Sequence, residues 1–264
     1  MPVELHKTDD LVKPIGTQLT EAEKDAIVAR DAGKGVSSAP EDKFYPLVTV
    51  LHKASPQVDE DNPAYLKGAK AGSIWLRNFE REVVSGQEGI VVQPCLMYTE
   101  WVTWRPRESG GGMVGRSLRR PADARLVDAA KNRWTDREGN EVRETRMWVV
   151  NLIHNGSAIP FVIPCQSTMN TFARQWNTVL GQKFDKRGNP ASAWAYLWKL
   201  TTRKRVNVQG EWFVLDFEQE GGRVIDRDPE LYEKGEQLYS AAKAAVDQGK
   251  QLAESVERDD DDSM

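Results

Sequence analysis

Apolar residues recur along this chain mostly with the alternating or continuous rhythm of β-strands. Between Phe44 and Phe79 the runs Leu47–His52 and Ser73–Phe79 read as strands, parted by the acidic, turn-prone Asp59–Pro63. The run Ile90–Trp104 (IVVQPCLMYTEWVTW) is β-rich throughout. Pro94 inside it calls for a bulge or an edge position, because proline has no N–H to give a neighbouring strand. Strand signal returns over Thr145–His154 and Ala158–Cys165. Asn155-Gly156 between them predicts a tight hairpin, since both residues accept positive φ.

A helical rhythm takes over after Cys165. Ser167 is placed to cap a helix of about four turns to Gly181, with Phe172, Trp176, Val179 and Leu180 on one face. The segment Ala193–Leu200 reads equally as strand or helix. Gly210 then turns the chain into a strand, Trp212–Glu218. There Phe213, Leu215 and Phe217 alternate towards a core, leaving Trp212, Val214 and Asp216 on the other face. Asp228-Pro229 opens a polar, Ala-rich helix to about Val256. Residues 106–141 lack strand periodicity, contain Gly110-Gly111-Gly112, and hold at most a short helix near Asp123–Asn132. Before Phe44 the chain is polar: a short helix from Thr20 to about Arg30, then a linker over Gly33–Pro40.

From Ile90 the order is strand, long loop, strand, hairpin, strand, helix, strand, tight turn, strand. That order predicts a mainly β (α+β) fold built on an OB-fold-like five-stranded barrel, with one helix between the third and fourth strands. Extra N-terminal strands precede it, and a C-terminal helix with a disordered acidic tail follows. Barrels of this kind bind oligonucleotides on strands two and three and with the loops joining strands one–two and four–five. Those loops fall at 106–144 and about Asn207–Gly210. The organisation expected is a flexible N-terminal arm, 1–43, a nucleic-acid-binding domain, 44–220, and a C-terminal helix and tail, 221–264.

Charge sharpens this picture. The net charge of −4 conceals a basic body: residues 44–217 carry 24 Lys+Arg against 17 Asp+Glu. The last 47 residues carry 6 against 14 and end Arg258-Asp259-Asp260-Asp261-Asp262-Ser263-Met264. A basic body attracts polyanions, and a tethered acidic tail can compete for the same surface. Cys95 and Cys165 stand 70 residues apart with no CxxC spacing and read as buried, reduced thiols. No apolar stretch is long enough to span a bilayer, and the polar start lacks a secretory signal. These features predict a cytoplasmic protein that does not engage membranes. Nucleophile, metal-ligand and P-loop patterns are missing, so neither enzymatic activity, a metal site nor a cofactor is expected.

The candidate binding residues fall in two clusters. The first comprises Arg105, Arg107, Arg116, Arg119, Arg120, Arg125, Lys131, Arg133 and Arg137, opposed up to residue 137 by Glu108, Asp123, Asp128 and Asp136. The second is Lys199, Arg203, Lys204 and Arg205. Guanidinium groups beside a groove can neutralise phosphates, each adding to the salt dependence of binding. Trp212 is the best platform for a stacked base, since its neighbours in sequence claim the core face. Trp194, Tyr196 and Trp198 share a face if their segment is a strand. Trp148 belongs to the core.

With barrel, basic loops and terminal aspartates together, the chain resembles bacteriophage single-stranded-DNA-binding proteins of the OB-fold type with acidic C-termini. Tyr45–Val58, followed by Gly68–Phe79, also looks like a region of uncharacterised phage proteins. The resemblance implies sequestration of single strands in phage DNA replication and recombination, in the host cytoplasm. It also implies that Asp259, Asp260, Asp261 and Asp262 dock replication or recombination proteins and compete with DNA. Several family members end in an aromatic residue, whereas this tail ends Ser263-Met264. An oligomer is compatible with this reading. The alternative is a phage structural or assembly protein whose β-rich body packs against other subunits. A third reading is an accessory protein of recombination or nuclease action on duplex DNA.

Overall fold

The computed structural model describes Thr20 and residues 45–261, except 78, 80–82, 130–132, 186 and 209; side chains are described only to residue 249 and not for Arg107. The chain divides into two units, Met1–Lys43 and Phe44–Met264. The helix and linker expected in the first unit lie outside the described residues. The second unit carries all the strands and helices described.

Eleven strands form one curled, half-barrel sheet. In chain order they are β1 (Leu47–Val50), β2 (Ile74–Arg77), β3 (Val83–Val84), β4 (Ile90–Trp104), β5 (Met113–Ser117), β6 (Arg125–Asp128), β7 (Arg133–Thr135), β8 (Glu141–His154), β9 (Ser157–Cys165), β10 (Tyr196–Asn207) and β11 (Gly210–Arg223). The main path runs β11-β10-β4-β8-β9-β1-β2-β3. Among the described residues two α-helices complete the fold, α1 (Met169–Gly181) and α2 (Pro229–Asp261).

Local chemistry explains the main elements. The β4–β8 ladder shifts register between Pro94 and Leu96, so Cys95 is the extra residue of a bulge, and Pro94 sits in a central strand. Asn155 (φ 48°) and Gly156 (φ 75°) make the β8–β9 turn, closed by the pair His154↔Ser157. The helix after Cys165 starts later than its sequence suggests: Ser167 is left-handed (φ 49°), and Thr168 takes the N-cap position. The ambiguous Ala193–Leu200 resolves into a short 3-10 turn, Ala193–Ala195, and the start of β10.

Alternation along β8 divides the interior in two. Trp148, Val150 and Leu152 face α1, whose Phe172, Trp176 and Leu180 fill the concave side of the sheet. Trp176 lies 4.7 Å from Trp148 between ring centroids and stacks on Phe217 at 6.3 Å. Phe213, Leu215 and Phe217 face this core, as their spacing requires. On the convex side Met147 and Val149 meet Cys95, Val162 and the α2 residues Leu238 and Ala242. The C-terminal segment therefore packs on the sheet. The helix continues through Asp259–Asp261, beyond the expected end at Val256, and Asp262–Met264 lie outside the described residues.

The curl closes without a strand ladder. The Thr202 N–H donates to the Gly86 carbonyl at 2.8 Å and its hydroxyl to the Gly72 carbonyl at 2.6 Å. A Cβ on Gly72 would lie 2.6 Å from the Phe213 ring, so only glycine permits this approach. Cys95 and Cys165 are buried free thiols, and burial pushes the Cys95 thiol up to about 12. Among the described residues no helix is long and apolar enough to cross a membrane.

Candidate nucleic-acid interface

The β4–β8 ladder runs past the core, and its outer end recruits three short strands. β5 pairs with β4, β7 with β8, and β6 with β7, giving a local order β5-β4-β8-β7-β6. The segment expected as an unstructured one–two loop is thus a small sheet, and the helix expected near Asp123–Asn132 is replaced by the strand β6.

Register sorts the basic residues of this arm by face. Arg116 and Arg143 both lie opposite Val102, and Arg125 lies opposite Thr135. Arg116, Arg125, Arg133 and Arg143 therefore share the face of Glu100, Val102 and Trp104. The opposite face holds Trp101 and Trp134, edge-to-face at 6.2 Å, with the Arg120 guanidinium 4.1 Å from the Trp134 ring and 5.7 Å from Trp101. Arg120 is thus engaged with two indoles, a contact of about 0.5–2 kcal/mol each. Arg137 pairs with Asp123 at 3.5 Å, and Arg143 with Glu141 at 2.6 Å, which holds the Glu141 carboxyl below its ordinary pKa. Arg105, Arg125 and Arg133 are exposed, and Arg119 is half-buried. Arg107 lies in the turn Arg107–Ser109, and Lys131 falls outside the described residues.

The second cluster divides across β10. Arg205 lies opposite Trp212 and Arg203 opposite Val214, so these four share one face. They line a cleft of about 340 Å³ with Thr168, Thr171 and Gln175. Trp212 is half-buried there, on the face opposite Phe213. Arg203 pairs with Asp216 at 3.3 Å. Lys204 points to the other face and pairs with Glu211; Lys199 lies opposite Glu218. Of the three aromatics expected to share a face if their segment is a strand, Tyr196 and Trp198 lie in β10 with Lys183 beside both rings, whereas Trp194 falls in the turn before it. Trp198 is buried in the core, while Trp194 lies 4.9 Å from Tyr239 on α2.

A larger groove, about 770 Å³, separates β1 and Arg77 from the outer parts of β4, β5 and β8. Arg116, His52 and Glu100 line it, together with Met113, Met147 and Met169. Thr168 and Leu215 line both this groove and the Trp212 cleft, so the two cavities adjoin. Along the joined surface Arg77, Arg116, Arg203 and Arg205 outnumber the carboxylate of Glu100. Glu100 accepts the Tyr98 hydroxyl at 3.1 Å and lies 3.8 Å from Arg116. Burial, then the Glu100 charge, raise the Tyr98 pKa. His52 accepts the Phe213 N–H at 3.5 Å, and burial lowers its pKa. Among the described residues no group of three or more His, Cys, Asp or Glu is arranged to hold a metal ion.

The family model for Pam3 phage gp34-like proteins matches residues 20–247. The chain belongs to that family. It is therefore a bacteriophage protein, as the resemblance implied, and the matched segment ends before the four aspartates. No curated protein and no solved structure matches it.

In this Pam3 gp34-like chain part of the convex face of β8 and β9 lies under α2, through Leu238 and Ala242 against Met147, Val149 and Val162. The barrel expected from the sequence binds on the face of strands two and three and with the loops one–two and four–five. The groove takes in the part of β8 and β9 that α2 leaves open, through Thr145, Met147 and Pro164, and adjoins the cleft. Arg77, His52 and Thr168 join that surface without standing out in the sequence. Their signal is the pairing of distant strands, which no local pattern encodes.

Proposed function

We propose that this phage protein is a non-enzymatic, sequence-tolerant single-stranded-DNA-binding protein of replication and recombination. The observation that carries the reading is the adjoining of groove and cleft at Thr168 and Leu215, with Arg77, Arg116, Arg203 and Arg205 along them. A flexible strand could follow that path with phosphates on the arginines and a base on Trp212. The pairings β11-β10-β4-β8-β9 support an OB-like ancestry, since they equal the order five-four-one-two-three of such a barrel, with α1 between the third and fourth strands. Here β1 follows β9 in the sheet, paired in parallel at Leu47↔Val162. The part of β8 and β9 under α2 is closed to the strand, which leaves it the groove. The acidic tail acts as competitor and as dock for replication or recombination proteins, in the host cytoplasm.

Titration of labelled oligo-dT, a duplex of equal length and an RNA of equal length tests this reading. Tighter binding of the single-stranded DNA with tryptophan quenching is expected. Failure to bind at low salt would remove the proposal.

A second reading, a structural or assembly subunit, draws on one observation. Met113 and Val114 on β5 and Leu126 and Val127 on β6 are exposed apolar residues on the two flanking strands of the arm. Such flanks suit packing against other subunits. The oligo-dT titration separates the two, since a subunit that only packs against other subunits has no affinity for the oligonucleotide.

A further inference from the structure

The tip of the β10–β11 hairpin breaks a local rule that the β8–β9 hairpin keeps. The pair Asn207↔Gly210 closes the ladder, so only two residues separate the strands, the first of them Val208. Loops this tight favour Asn, Asp and Gly, which tolerate positive φ and meet water readily. Asn155-Gly156 follows that preference. Val208 does not, and its relative exposure is 104%. Val206, beside it, is 69% exposed. Every described residue from Arg203 to Glu211 is exposed, so the end of the hairpin stands clear of the body. A single exposed apolar residue needs no explanation. A valine that serves neither its turn nor any core, with a second one two residues away, is a conflict between local chemistry and fold. Such conflicts concentrate at functional sites.

The charges behind the tip indicate what it meets. Arg203 and Arg205 lie on one face of the ribbon, where Asp216 pairs with Arg203, and Lys204 lies on the other, where Glu211 pairs with it, so three cations against two carboxylates leave the approach net positive on the arginine face. A polyanion is the complementary partner. Apolar side chains flanked by cations are used to part neighbouring bases, the cations holding the sugar-phosphate chain. We propose that this hairpin is a wedge. Val206 and Val208 enter the stack between two neighbouring bases where a single strand meets a duplex, and Arg203 and Arg205 hold the phosphates on either side. The proposal rests on the nucleic-acid reading above and adds unstacking to it.

The test uses the full-length protein and a forked DNA with 2-aminopurine at the last paired position, whose fluorescence rises on unstacking. Labelled oligo-dT is titrated in parallel. The wild type is expected to raise the fluorescence at saturation. The Val206→Ser/Val208→Ser variant is expected to lose that rise while its oligo-dT affinity and thermal midpoint stay unchanged. A bound fork without a rise, or a rise that survives the double substitution, would overturn the wedge while leaving the binding reading intact. A change in the sedimentation of the DNA-free protein on substitution would also overturn it, by making the tip a contact between copies. Absence of oligo-dT binding would remove both proposals together.

Discussion

The side-chain amide of Gln93 donates to the carbonyl of Leu231 at 3.1 Å, tying the first turns of α2 to the middle of the sheet. The same nitrogen donates to the Trp194 carbonyl at 3.0 Å, and the amide oxygen accepts from Asn151 at 2.9 Å. Gln93 is fully buried, its bond with Asn151 is too, and its two bonds to carbonyls are partly buried. Two carbonyls and an amide would lose their partner without it. Unsatisfied buried groups cost about 1–3 kcal/mol each, less whatever water enters. We predict that Gln93→Leu destabilises the protein by about 2–4 kcal/mol, read as a lower urea midpoint. An unchanged midpoint would show that α2 is held by its apolar face alone.

The acidic tail is predicted to weaken DNA binding in the intact chain. Removing Arg258–Met264 takes away four aspartates and one arginine beyond the segment shared with the family. Affinity for oligo-dT should rise, most strongly at low salt, where screening is weakest. Equal affinities with and without the tail would leave it a role in partner docking alone.

Trp212 is predicted to stack a base. Trp212→Ala should weaken oligo-dT binding by about 1–3 kcal/mol, the usual range for one stacked base, and reduce the tryptophan quenching. Full affinity in that variant would remove the stacking role and leave the electrostatic path standing.

His52 makes stability depend on pH. Burial lowers its pKa in the folded protein, so at acidic pH the unfolded chain binds this proton more readily. Nothing is lost while both states are neutral. Stability then falls as pH drops through the ordinary histidine range near about 6.5, towards the lower folded value. The thermal midpoint of His52→Asn should fall less between pH 7 and pH 5 than that of the wild type. Parallel curves would exclude His52 as a source of the acid sensitivity.

Legibility in the sequence followed the range of the interactions. Asn155-Gly156, the bulge at Pro94 and the inward Phe213, Leu215 and Phe217 were readable because turn chemistry and alternation are local. The strands β5, β6 and β7 were not. They are three to five residues long, carry one Arg each, and exist because the projecting ends of β4 and β8 offer them a ladder. The two basic clusters were visible as composition, but the faces they occupy depend on register. Arg120 looked like a phosphate ligand in the sequence, yet Trp101 and Trp134 engage it. The cover over β8 and β9 could not be read from α2 itself, whose polar, Ala-rich sequence shows few apolar positions apart from Leu238 and its neighbours.

The central claim is that both basic clusters contact one strand. Its most direct measurement is the salt dependence of oligo-dT affinity for the wild type, Arg116→Ala, Arg205→Ala and the double variant, with folding checked by circular dichroism. Four phosphate contacts predict a log–log slope of roughly −3 for single-stranded DNA, each lost contact reducing it by about 0.7. The account predicts that each single variant flattens the slope by one such step and the double variant by two. A slope unchanged by either substitution, or no binding at low salt, would contradict it.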